Sequence, residues 1–340
     1  MSFISAATSA IERIALPDAI TRAGIAFMVD RTRRKLERDT GSAEADFAAW
    51  MKSRPIATHT DEANEQHYEL PPEFFAPILG AQRKYSCCLF TPGDTLDQAE
   101  ERALSLTAEH AGLSDGQDIL ELGCGWGSLS LWMAANYPRA RITAVSNSHG
   151  QRFHIEAEAA RRGLTNLRVI TQDMNRFAPD GDFDRIVSVE MWEHMSNWPD
   201  LLSRVRAWLR SDGRLFLHVF SHTSVPYYFD QADRSDWIAQ HFFTGGIMPS
   251  HGLLRALDGP FEIEREWRWN GEHYQRTAEA WLTRFDASQD VIMPILRNVY
   301  GENAELWKRR WRLFFLATAG LFGAGGGEVW GVSHYRMKPR

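Results

Sequence analysis

The chain is poor in cysteine, with three in 340 residues, Cys87, Cys88 and Cys124. They cannot all pair with one another, and no C-x-x-C or Cys/His ligand spacing accompanies them, which excludes a disulfide framework and a structural zinc site and leaves the expected metal set empty. A basic surplus is also missing: 38 Lys and Arg stand against 44 Asp and Glu, a net charge of −6, so the expectation is no nucleic-acid partner. Long hydrophobic runs are absent too. The stretch Leu313 to Gly327 is shorter than the ~20 residues that span a bilayer and ends Gly-Ala-Gly-Gly-Gly, the pattern of a buried helix and a turn. No basic n-region opens the chain, and Glu12 and Arg13 interrupt the first apolar stretch, so the expected location is cytoplasmic. No internal repeat or low-complexity segment is present.

What the chain does have is aromatic mass, 13 Trp and 19 Phe, and 44% hydrophobic residues. That suffices for a large core and for an aromatic-lined pocket suited to a bulky apolar or cationic ligand. Residues 1 to about 60 carry helical spacing, with Ile20, Phe27 and Met28 on one stripe and a basic run from Arg31 to Arg38. The run reads first as a solvated face; transient contact with acidic lipid is compatible with it, as is a homodimer. A helix begins near Thr95, whose Thr-x-x-Gln start is a capping box.

From Gln117 the pattern changes to short apolar runs alternating with helices, the signature of a parallel sheet built from βαβ units. Strands are predicted at Asp118–Leu122, Arg141–Ser146, Leu167–Thr171, Phe183–Val189 and Gly213–Phe220, with further strands at Glu262–Trp269 and Glu328–Lys338. Helices are predicted at Gly127–Asn136, Gln151–Arg162, Asn197–Trp208 and Ala304–Phe322. The expected division is a helical, cofactor-covering extension over residues 1–90 and an α/β Rossmann-like domain over 91–340. An aromatic, loop-rich lid is inserted at about 221–310. Ligands of such folds sit at the carboxyl ends of the strands.

Where the first strand ends and a helix begins stands Glu121-Leu-Gly123-Cys124-Gly125-Trp126-Gly127-Ser128. Glycines permit a tight turn and close backbone approach, and the new helix presents N–H groups to a carboxylate. The spacing is G-x-G-x-G rather than G-x-G-x-x-G, and the preceding acid suits an ammonium better than a pyrophosphate. This motif resembles that of S-adenosylmethionine-dependent methyltransferases, in particular the family of cyclopropane fatty acid synthases and coclaurine N-methyltransferases. The resemblance runs from about Tyr68 to Tyr335. It implies a class I fold with a seven-stranded, mostly parallel sheet, and Glu121, Gly123 and Gly125 around the methionine and ribose of S-adenosylmethionine. It also implies Ser146 and Gln151 on the ribose hydroxyls in place of the usual acid, Asp173 and Met174 on the adenine, and Tyr85 and Ser86 closing over the cofactor.

After the fourth strand comes Glu190-Met-Trp-Glu193-His194. If this segment turns helical, Glu190, Glu193 and His194 share a face, an arrangement able to take an amine's proton and to stabilise the ammonium formed on methylation. This run, the segment Tyr85-Ser86-Cys87-Cys88, and Phe242-Phe243-Thr244-Gly245-Gly246 look most like the coclaurine-type branch. That branch implies Trp330 as a wall of the acceptor pocket and an amine-bearing small molecule as acceptor. The cyclopropane-synthase branch holds a bicarbonate as proton acceptor, and there Cys87, Glu193, His218 and Tyr274 resemble its ligands. Its implied acceptor is an unsaturated acyl lipid.

Overall fold

The protein was described from a computed structural model, covering residues 12, 16–38, 43–58, 70–232 and 236–340. Tyr68, where the resemblance begins, lies outside the described residues.

The sheet forms as the alternation predicts. Strands β1 (Asp118–Leu122), β2 (Arg141–Ser146), β3 (Leu167–Thr171) and β4 (Phe183–Val189) match the expected ranges. β5 runs from Leu209 to His222, longer than expected, because it pairs with β4 on one side and with the antiparallel β9 (Trp330–Pro339) on the other. The seven-stranded order is β3-β2-β1-β4-β5-β9-β8, with β8 at Phe261–Asn270. Every pairing from β3 to β5 is parallel, and only those made by β9 are antiparallel. Order reverses at β1 and β4, so the crevice opens beyond their carboxyl ends.

Among the described residues the amino-terminal part is helical, with α1 (Asp18–Leu36), α2 (Ala43–Lys52) and the single turn α3 (Pro72–Phe75). Helix α4 (Leu96–Ala111) starts at the expected box: the Thr95 hydroxyl accepts from the Gln98 N–H, and the Gln98 side chain accepts from the Thr95 N–H. Helices α5 (Ser128–Asn136), α6 (His149–Arg162) and α7 (Trp198–Trp208) cross between the parallel strands.

The region expected as a loop-rich lid is mostly regular structure. It contains a small pair of strands, β6 (Tyr227–Tyr228) and β7 (Ile247–Met248), and the short helices α8 (Trp237–His241) and α9 (Leu253–Ala256). It also holds β8, the helices α10 (Glu272–Ala287) and α11 (Gln289–Tyr300), and the start of α12 (Ala304–Phe322). Its aromatics are spaced for packing: Trp281, Phe285, Trp311 and Phe315 are buried in one cluster with Phe74, Phe75 and Phe242. Burying each such ring is worth about 1.5–3 kcal/mol, which explains why this layer is held rather than loose. Helix α1 is tied to it through Arg312, which bridges Asp18 and Asp286, and through an Arg22–Glu279 pair.

Candidate active site

A cleft lies at the carboxyl ends of β1, β2 and β4. Its floor is the glycine loop, in which Gly123 and Gly125 have φ of +79° and +51°. A Cβ on Gly125 would meet no atom within 4 Å and would project into open space, whereas one on Gly123 would collide with the Met191 side chain. The loop therefore keeps its bare backbone for a ligand at Gly125 and for packing at Gly123.

Glu121 lines the cleft at the end of β1, almost fully buried, with a short hydrogen bond from the Ser130 hydroxyl. Burial raises its carboxyl to about 7, so a ligand ammonium arriving there supplies the charge partner the protein lacks. At the end of β2 the Ser146 hydroxyl donates to Gln151 Oε1 at 2.5 Å and accepts from the Ser148 N–H at 3.0 Å. Gln151 Nε2 is left buried with no partner among the described residues, a donor of the kind a ribose hydroxyl satisfies. These features fit S-adenosylmethionine.

Next to β3, Gln172 and Met174 line the cleft but Asp173 does not. One oxygen of the Asp173 carboxylate accepts from the Asn175 N–H at 2.7 Å, capping the local turn, and Gln172 takes the exposed position. Tyr85 and Ser86 line the opposite wall as expected, together with Ala57, Thr58 and Lys84. Lys84 was missed by sequence reasoning. It is 1% exposed, and its ammonium donates to Ser86 Oγ at 2.5 Å and to the Cys87 carbonyl at 2.7 Å. The sequence shows it only as the second of two adjacent cations, Arg83 and Lys84, before an uncharged Tyr-Ser-Cys-Cys-Leu-Phe run.

The expectation that Glu190, Glu193 and His194 share one helical face fails. Glu190 sits in the left-handed region at φ +48°, a conformation that costs a non-glycine residue about 1–3 kcal/mol, and the chain then makes one 3-10 turn at Trp192–His194. Glu190 and His194 line the cleft, while Glu193 turns into the protein. Glu193 is fully buried: Oε1 accepts the Phe220 N–H at 2.7 Å, and Oε2 meets no partner among the described residues. Burial, then the neighbouring Glu190, push its carboxyl well above the usual range.

Glu190 gathers the donors. Oε1 accepts the Cys87 N–H at 2.9 Å and faces His218 Nε2 at 3.1 Å, and Oε2 accepts the Tyr274 hydroxyl at 2.6 Å. Burial raises its carboxyl, opposed by Lys84, Tyr274 and the Cys87 N–H. Cys87 thus acts through its backbone; burial pushes its thiol up, leaving it protonated. Of the residues expected to hold bicarbonate, Cys87, His218 and Tyr274 are brought together around Glu190, while Glu193 is turned to the Phe220 N–H.

From Tyr274 an arc of rings leads back to His194: Tyr274 stacks on Phe322 with centroids 4.3 Å apart, Phe322 meets Phe220, Phe220 meets Phe243, and Phe243 lies 4.5 Å from His194. Trp330 is fully buried at the start of β9, donating to the Tyr227 hydroxyl at 3.2 Å, and shares one hydrophobic cluster with Tyr274 and Phe322.

The doubly wound sheet, the glycine loop and the cleft define an S-adenosylmethionine-dependent methyltransferase of class I fold. Comparison with known proteins agrees. Residues 57–332 match the family model described as mycolic acid cyclopropane synthetase. The (S)-coclaurine N-methyltransferase of Thalictrum flavum subsp. glaucum is 35% identical over 85% of this chain and 82% of its own length. That of Papaver somniferum is 32% identical over 87% and 86%. A crystal structure of coclaurine N-methyltransferase bound to N-methylheliamine and S-adenosylhomocysteine superposes with a TM-score of 0.92 at 34% identity, covering 96% of this chain and 97% of that one. The chain belongs to the mycolic acid cyclopropane synthetase family of methyltransferases.

Proposed function

We propose that this enzyme transfers a methyl group from S-adenosylmethionine to the nitrogen of a small amine that carries a bulky aromatic or apolar body. The observation that carries this reading is the closure of the Cys87 N–H, the His218 ring and the Tyr274 hydroxyl on Glu190. Cyclopropanation of an acyl lipid needs a base that takes a proton from carbon after attack, and the bicarbonate that serves there would need those same groups. Amine methylation needs an anionic group beside the nitrogen instead, and Glu190 is that group. The coclaurine-type relatives support an amine acceptor, and the aromatic arc from Tyr274 to His194 suits a ring system and a developing cation.

When bound, S-adenosylmethionine supplies an electrophilic methyl group on a sulfonium. Glu121 pairs with the amino group of its methionine part, Gln151 and Ser146 hold ribose hydroxyls, and Met174 packs on the base beside Gln172. An amine attacks only as its free base, so His194, on the cleft wall, takes the proton, and Glu190 stabilises the positive charge that arrives on nitrogen. Glu193 positions β5 through Phe220. Among the described residues no helix is long and apolar enough to cross a membrane. A cytoplasmic location suits Cys87, Cys88 and Cys124, which are buried and unpaired.

A trideuteromethyl donor tests the reading. An N-methylated product retains every deuterium, whereas a cyclopropane loses one to the base. Retention of all label in the product of an amine acceptor is expected, and label loss with an unsaturated acyl lipid as the preferred acceptor would replace this reading with the lipid one.

A further inference from the structure

Behind Glu190 runs an unbranched chain of imidazoles. His218 lies in β5 and His334 directly opposite it in β9, while His110 sits in the last turn of α4. Glu190 Oε1 is 3.1 Å from His218 Nε2, His218 Nδ1 is 2.8 Å from His334 Nε2, and His334 Nδ1 is 2.9 Å from His110 Nδ1. His218 and His334 are fully buried, and His110, 8% exposed, is the outermost, its ring stacked 3.9 Å from that of Trp267. A hydrocarbon side chain at either strand position would have had no polar atom to desolvate, yet both nitrogens of His218 and of His334 are engaged end to end.

We propose that His218, His334 and His110 carry a proton between Glu190 and solvent. This rests on the assignment of Glu190 to the reacting centre. With Glu190 protonated on Oε1, its O–H donates to His218 Nε2. His218 Nδ1–H then donates to His334 Nε2, His334 Nδ1–H donates to His110 Nδ1, and His110 Nε2–H is the outer end. When that outer proton leaves, each bridging proton moves one step outward. Glu190 becomes a carboxylate accepting from His218 Nε2–H, His218 Nδ1 accepts from His334 Nε2–H, and His334 Nδ1 accepts from His110 Nδ1–H. Each ring gains a proton on one nitrogen as it loses one from the other, so no ring turns and none is left charged. The net change is one proton lost, and the reverse shift restores it.

Neutral rings are what the surroundings favour. Burial, with Lys84 and the other histidines, holds His218 and His334 well below the usual imidazole range, so a standing imidazolium is disfavoured and a concerted shift is not. The other charged or titratable groups facing the path are Glu193 beside Glu190, Tyr274 on Glu190, and Glu109 and Arg336 around His110. The reaction gives the path a task. A cation occupies the cleft from cofactor binding to product release, first on sulfur and then on nitrogen, and is absent afterwards. A buried carboxyl that stays charged throughout is stranded after release, and one that stays neutral fails the cation. The path lets Glu190 ionise as the cation arrives and recover its proton as it leaves.

The test measures proton release by stopped-flow mixing with a pH-indicator dye, in weak buffer, over a series from about pH 5 to about pH 8. S-adenosylmethionine is compared with S-adenosylhomocysteine, which carries the same amino and carboxylate groups but a neutral sulfur, so any release caused by Glu121 cancels. The native enzyme is expected to release more protons with the sulfonium, and Glu190→Gln is expected to abolish that difference. His334→Gln and His110→Gln keep a side chain able to hydrogen-bond but not to relay; they are expected to leave the difference intact at equilibrium while slowing its appearance on the order of tenfold or more. Added imidazole should restore the rate in His110→Gln. Absence of a sulfonium-specific release in native enzyme at every pH removes Glu190 from the reacting centre and the path with it. A native rate in the variants, or a release lost at equilibrium rather than slowed, makes the rings structural and overturns the path alone. If His334→Gln does not fold, His110→Gln decides between these outcomes.

Discussion

Glu190 and Glu193 are the same residue type three positions apart, and the structure gives them different chemistry. One collects three partners at the cleft, and the other is buried with a single N–H and an unpartnered oxygen. Glutamine substitution separates them. Glu190→Gln removes the charge that answers the cation and is expected to cut turnover by ~10²–10⁴-fold, with S-adenosylhomocysteine affinity nearly unchanged. Glu193→Gln replaces a buried acid of raised pKa with a neutral amide of the same shape. Turnover within about threefold of native is expected, well below the loss a catalytic base shows. Steady-state rates with calorimetric affinities check both, and a Glu193→Gln loss as large as that of Glu190→Gln would return Glu193 to the chemistry. The sequence could name both glutamates but not tell them apart, because what turns Glu193 inward is the Phe220 N–H, on a strand that arrives later in the chain. An acid after a strand serves a ligand or its own turn equally well, and one oxygen of Asp173 takes the Asn175 N–H. Glu121 and Gly125 were placed by the pattern at a strand end and Gln151 by the family resemblance, and all three line the cleft.

Helix α4 does more than flank the sheet. Its buried Glu100 accepts the N–H groups of Gly80 and Lys84 on Oε1 and of Gln82 on Oε2, at 2.8, 3.2 and 2.7 Å, and so braces the segment that presents Lys84, Tyr85 and Ser86 to the cleft. Burial nevertheless raises its carboxyl to about 7. Because the folded value lies above the ordinary carboxyl value of about 4.3, folding favours the neutral acid. Its contribution to stability is therefore complete below that ordinary value and is lost as pH rises through about 7. Glu100→Gln, neutral at every pH, presents an NH₂ to one of the N–H donors and is expected to cost about 1–3 kcal/mol near pH 5. The gap from native should narrow by pH 8 or so. Urea unfolding at both pH values measures it, and a gap that widens with pH would reverse the assignment. At this scale the sequence predicted the strands that obey a period, from β1 to β5, and the capped start of α4. It missed β6 and β7, which at two residues each are too short to show a period, and it missed α11, where Pro294 inside the helix reads as a break.

The aromatic richness of the whole chain suggested a mobile lid over 221–310, and the folded molecule places its aromatics in a continuous cluster that joins α3 to α10 and α12. Two segments outside 221–310 line the cleft beside the glycine loop. Ala57 and Thr58 reach it from the amino-terminal side, held by a two-way bond between the Ala57 backbone and the Asn175 side chain and by the Ser196 N–H on the Ile56 carbonyl. Lys84, Tyr85 and Ser86 reach it from the segment braced by Glu100. Composition reports how much aromatic surface must be buried, not which segment buries it. Both covering segments attach to the sheet through a few hydrogen bonds, so they belong to the parts of the molecule that open locally at low free energy, while 261–270 is paired along its length with β9. Binding that fills the cleft should therefore close the covering segments first. Amide exchange with and without S-adenosylhomocysteine is expected to fall most over 54–58 and 82–88 and to stay unchanged over 261–270. If protection instead gathers over 237–252 while 54–58 and 82–88 exchange as before, the cover of the active site is the aromatic insertion, and the proposed roles of Tyr85 and Ser86 at the cofactor fall with the cover they form.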